Sequence, residues 1–110
     1  EVQENFASWQ KAINKFSKSK IISLRRASLV LQTKPNRELH DENMRHLAFK
    51  TIERLKHEKD VLITKAVSWL LRSLVFQNKE EVKKYLKTNE TSLPRIAYRE
   101  TIKKIEMGKK

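Results

Sequence analysis

One glycine and two prolines in 110 residues leave this chain few ways to turn sharply. Tight hairpin turns need residues that tolerate positive φ, and a β-sandwich or barrel needs many such turns. A chain this poor in turn residues folds from helices joined by a few short connections. The same scarcity excludes a glycine-rich phosphate loop, because the single glycine, Gly108, stands at the far end of the sequence.

Apolar residues recur at helical spacing along nearly the whole length. Val2, Phe6, Trp9, Ile13 and Phe16 mark one face of a first helix over residues 2–17. A second is predicted from Lys20 to Gln32, burying Ile21, Leu24, Ala27, Ser28 and Leu31, with Pro35 as its stop. Asp41 is placed to cap a third that buries Met44, Leu47, Ala48, Ile52 and Leu55. Asp60 caps a fourth, over 61–76, which is apolar around most of its girth and is expected to be the most buried. Asn78 followed by Glu81 reads as a variant capping box for a fifth, with Val82, Tyr85 and Leu86 inward. Ser92 and Pro94 open a sixth, with Ile96, Ala97, Ile102 and Ile105.

The second, fourth and sixth helices share a local pattern. Leu24-Arg25-Arg26-Ala27, Ile63-Thr64-Lys65-Ala66 and Pro94-Arg95-Ile96-Ala97 align 39 and 31 residues apart. Two helices per unit at such a period predict an all-α chain of the α-α superhelix type, a HEAT-like solenoid of about six helices in three antiparallel pairs. An irregular six-helix bundle is the alternative. The length suits a single all-α domain over residues 1–110.

Charge indicates the partner class. Lys and Arg number 25 against 13 Asp and Glu, a net charge of +12. The excess is no tail: residues 1–55 carry 11 basic against 6 acidic side chains, and 56–110 carry 14 against 7. Such a balance favours a polyanion. If the even helices line a concave wall, Arg25, Arg26, Lys65, Arg72, Arg95 and Arg99 form one positive track able to hold phosphates. Arg72 is the least ordinary of these, because it interrupts an apolar helix where burial without a partner is costly. The aromatics fall mostly on apolar stripes and read as core, Trp69 included; Phe16, at a helix end, is the exception.

Other chemistries are excluded or weak. With no cysteine there is no disulfide framework, zinc ribbon or thiol nucleophile. Glu53 with His57 and Glu42 with His46 are two-ligand pairs of a kind that arises by chance, so no metal site is predicted. No serine sits at a strand-to-helix elbow. The longest apolar stretch, Val61 to Phe76, holds Lys65 and Arg72 and is too short to cross a bilayer.

Three stretches carry a resemblance. Ser19–Val30 (SKIISLRRASLV), Ile63–Leu74 (ITKAVSWLLRSL) and Leu93–Ile105 (LPRIAYRETIKKI) are similar to helices of the AlkD-like DNA alkylation repair family of HEAT-repeat glycosylases. The Lys-Ala-x-x-Trp-x-Leu-Arg pattern of the second stretch is the most specific. Family domains are about twice this length, so the resemblance implies the C-terminal part of a longer domain. It implies binding of duplex DNA along a concave basic surface and excision of positively charged N3- or N7-alkylated purines, with no cofactor, metal or membrane. Arg72 matches a catalytic arginine of the family. Phe16 falls where an aromatic is expected against the DNA backbone. At the family's aspartate position stands Lys20, and before Leu24-Arg25-Arg26 stands Ser23 in place of an aromatic. A lysine there opposes the positive charge that develops on the sugar as a base departs. The resemblance places the protein with the nucleoid in the cytoplasm, and a cut solenoid edge would favour a dimer. A non-catalytic α-solenoid scaffold for an acidic protein partner is the competing expectation.

Overall fold

The computed structural model describes residues 6–107. Its regular elements are all helices: α1 (Phe6–Ser17), α2 (Ile22–Val30), α3 (Thr33–Glu38), α4 (Glu42–Leu55), α5 (Val61–Thr88) and α6 (Arg95–Met107). Val2, placed on the face of the first helix, lies outside the described residues.

The predicted caps act where expected. The Asp41 carboxylate accepts from the Met44 amide at 3.0 Å, and Asp60 accepts from Leu62 at 2.9 Å. Two boundaries differ. Pro35 does not end helical structure; it is the third residue of α3, in a first turn that needs no amide donor. Asn78 and Glu81 make no capping box. Both are engaged by Arg45, through contacts of 3.2 Å to Asn78 and 2.7 Å to Glu81. Asn78 nevertheless breaks the helix, with φ −139° and ψ 47°, so α5 is two helices joined at that residue.

The helices form two layers. α1, α4 and the second half of α5 make one; α2 with α3, the first half of α5, and α6 make the other. Polar ties reveal the register within each. Arg45 meets Asn78, Glu53 meets Tyr85 and Lys56 meets Asn89, pairs 33, 32 and 33 residues apart. Both helices therefore advance in the same direction. In the other layer Gln77 donates to the Arg37 carbonyl, 40 residues away, and Ser68 to Glu100, 32 away. These separations lie within one residue of the 39 and 31 read from the sequence. Neighbouring units thus stack in parallel, with antiparallel hairpins inside each.

The core lies between the layers. Leu29, Ile52, Leu55, Ile63, Val67, Leu70, Leu71, Leu74, Val82, Leu86 and Ala97 form one buried cluster. Each large aliphatic side chain there contributes roughly 1.5–3 kcal/mol by leaving water. The predicted inward faces of α4 and of the second half of α5 hold, although Tyr85 is only half-buried. That of α2 holds only in part: Ile21 and Leu31 are exposed, and Ser28 and Leu29 take the buried positions. No helix among the described residues is long and apolar enough to cross a membrane.

Candidate functional site

The first half of α5 is hemmed in by α2 and α3 on one flank and by α6 on the other. Ile63, Val67, Leu70, Leu71 and Leu74 face the core. At 100° per residue, Leu62, Lys65, Trp69, Arg72 and Phe76 share the opposite face. That face is open: Leu62 is 51%, Trp69 42% and Phe76 48% exposed, and Lys65 is exposed as well. Trp69 and Phe76 are therefore surface groups, contrary to the core reading. Two flanking helices and the layer behind cover three sides of α5 and leave the fourth free. Large apolar groups recur every seven residues along it, with cations at the same interval between them.

Arg72 is held in place. Its Nε donates to the Ser68 carbonyl and hydroxyl at 3.3 and 3.2 Å, and its guanidinium lies 3.7 Å from Glu100. Ser68, itself buried, donates to the same Glu100 oxygen at 2.8 Å. One turn further along α6, Lys104 places its ammonium 4.2 Å from the centre of the Phe76 ring. The stripe is thus edged by two α6 side chains of opposite charge.

The other sequence candidates are scattered. Arg25 is taken: it reaches Glu58 at 3.0 Å and the Ser19 carbonyl at 2.9 Å, pinning the start of α2 to the connection before α5. Arg26 is exposed and, like Lys65, makes no ion pair among the described residues. Lys20 is exposed in the turn before α2, and Phe16 is half-buried near the end of α1. On α6, Glu100 and Lys104 face the first half of α5, while Tyr98 and Ile102 line a groove beside Leu86 of its second half. Arg95 and Arg99 are left on the side turned away from both. One unbroken track through all six cations is therefore not what forms. Lys65 and Arg72 come together, Arg25 is withdrawn, and Arg95 and Arg99 face elsewhere.

A polar cluster on the opposite layer was not foreseen. Lys56, only 7% exposed, donates to Glu53 at 3.0 Å and to Asn89 at 2.8 Å, and the Tyr85 hydroxyl donates to Glu53. Burial opposes ionisation of Glu53. The bonds from Tyr85 and Lys56, with the charges of Lys56 and His57, outweigh it and hold the carboxyl below its ordinary range. Burial, then the bond to Glu53 and its charge, push the Tyr85 hydroxyl well above its own. The 33-residue recurrence of polar residues was the signal for this cluster, but it becomes visible only once the register is known. A shallow groove of about 360 Å³ beside it is lined by His46, Phe49, Tyr85 and Thr88. Among the described residues, no three metal-ligating side chains converge.

The family model of the DNA alkylation repair enzymes matches residues 1–105. The chain belongs to that family. No curated protein sequence matches it at a significant level. In this DNA alkylation repair family member the match reaches from α1 into α6, so the exposed stripe of α5 and its Glu100 edge lie within the shared region.

Proposed function

We propose that the chain binds duplex DNA through the open face of α5 and serves the excision of cationic alkylated purines. The observation that carries this reading is the stripe itself: Lys65 and Arg72 interleaved with Leu62, Trp69 and Phe76 on the one uncovered side of an otherwise buried helix. Lys65 and Arg72 stand seven residues apart, about 10.5 Å along the axis, a span that suits phosphates of one strand. The aromatic groups between them offer flat apolar surface to sugars and bases. Family membership and the +12 charge support the same partner.

If Arg26, Lys65, Arg72 and Lys104 each neutralise a phosphate, log K falls with log[salt] at a slope of roughly −3.6. A flat response refutes DNA as the partner. Arg72 is the group to which the family's chemistry carries over. Release of 7-methylguanine from a methylated duplex, abolished in Arg72→Ala, would establish glycosylase activity. No release from a chain that binds DNA would assign it a non-catalytic role, in keeping with Lys20 at the acidic position.

One observation favours a second reading. Leu62, Trp69 and Phe76 repeat at the seven-residue interval of a helix–helix seam, with cations beside them. An acidic amphipathic helix would fit such a seam. Competition between duplex DNA and an acidic helical peptide separates the two.

A further inference from the structure

A carboxylate on a surface for a polyanion is a cost, because it repels phosphate and competes for the neighbouring cation. Glu100 is such a carboxylate. It remains 45% exposed at the edge of the α5 stripe, 3.7 Å from Arg72. Its position is fixed by the hydroxyl of Ser68, which is 1% exposed and donates to it at 2.8 Å. Docking of α6 does not explain the charge. The buried face of α6 is Ala97, Thr101 and Ile105, and an amide oxygen would accept from Ser68 as readily as a carboxylate. The acids that clamp one unit to the next, Glu58, Glu81 and Glu53, pair with Arg25, Arg45 and Lys56 away from the stripe.

A negative charge beside Trp69 and Arg72 is favourable only when the ligand brings a positive charge of its own. We infer that Glu100 determines specificity by reading positive charge on the nucleobase, so that a cationic alkylated purine is held more tightly than its neutral parent. The inference rests on the DNA-binding reading above. Because Ser68 already orients the carboxylate, a cationic ring gains its attraction without further ordering of the side chain. A neutral base gains nothing and leaves the repulsion of the backbone uncompensated.

The test compares two duplexes of one sequence by fluorescence anisotropy. One carries guanine; the other carries 7-methylguanine on a 2′-fluoro sugar, which resists base loss. The unaltered chain is expected to bind the cationic duplex about three- to fivefold more tightly, the range open to a partly solvated charge pair. Glu100→Gln is expected to bind both duplexes equally, with affinity for the neutral one unchanged or raised. Ser68→Ala keeps the charge but releases its anchor, and is expected to reduce the preference to about twofold; it carries the test if Glu100→Gln does not fold. A preference that survives both substitutions overturns the inference. So does an unaltered chain that binds both duplexes without distinction, and that result leaves the DNA reading standing. Binding to neither duplex removes the DNA reading, and this inference with it.

Discussion

Replacing Tyr85 with Phe removes one hydroxyl and keeps the ring against Phe49, whose centroid is 4.9 Å away. The lost bond runs to an ionised acceptor, Glu53, a kind worth about 1.5–3 kcal/mol when shielded. The Glu53 side chain is 49% exposed, so solvent screening reduces this to roughly 1 kcal/mol. Glu53 still accepts from Lys56, so no orphaned group adds to the cost. The substitution is therefore expected to lower Tm by about 4–8 °C. Its pH dependence is the sharper test. The Glu53 pKa is lowered from 4.5 on folding, so its contribution is present above pH 4.5 and is lost as pH falls through the lower folded value. The Tyr85 pKa is raised from 10.0, so its contribution is present below pH 10.0 and is lost as pH rises beyond it. The stability gap between the two proteins, measured by urea unfolding, should be flat from about pH 5.5 to 9.5 and close at both ends. A gap that stays constant from pH 3 to pH 11 would show that the hydroxyl acts through packing and would refute the electrostatic account.

Three contrasts follow. Lys65→Ala should reduce the magnitude of the salt slope for DNA binding by about 1 and leave Tm unchanged, whereas Arg25→Ala should leave the slope alone and destabilise by about 1 kcal/mol through the lost Glu58 contact. Arg45→Ala should cost roughly 1–2 kcal/mol in chemical denaturation, because its side chain is 16% exposed and binds both Asn78 and Glu81. Leu71→Ala, at a fully buried site, should cost about 2–5 kcal/mol, while Trp69→Ala two residues earlier should change stability little and weaken DNA binding by about 1–3 kcal/mol.

Helix number, the Asp41 and Asp60 caps and the interruption at Asn78 were legible because each rests on local chemistry. The buried face of α4 was legible for the same reason, since a 3.6-residue period needs no knowledge of neighbours. Reading Trp69 as core failed where that logic ends. An apolar residue on a mostly apolar helix is buried only if another helix covers it, and what covers α5 is decided by α2, α3 and α6 together. Arg25 and Arg26 show the same limit: they are adjacent in sequence, yet only Arg25 has Glu58 within reach. Pro35 was misread because its effect depends on position within a turn, which the residue name does not reveal. Glu100 drew no notice at all, since its interest comes from Ser68 and Arg72, which stand on a different helix.

The interruption at Asn78 has a consequence for how copies of this chain meet. As one straight rod, the 28 residues of α5 would measure about 42 Å, longer than the 35 Å greatest dimension of the folded chain. Straightening at that residue would carry α6 away from Ser68 and Phe76 and strip its cover from the core. The vacated site would then accept the α6 of a second, equally straightened copy. Asn78 is thus the latch that keeps this chain from exchanging its last helix with a twin.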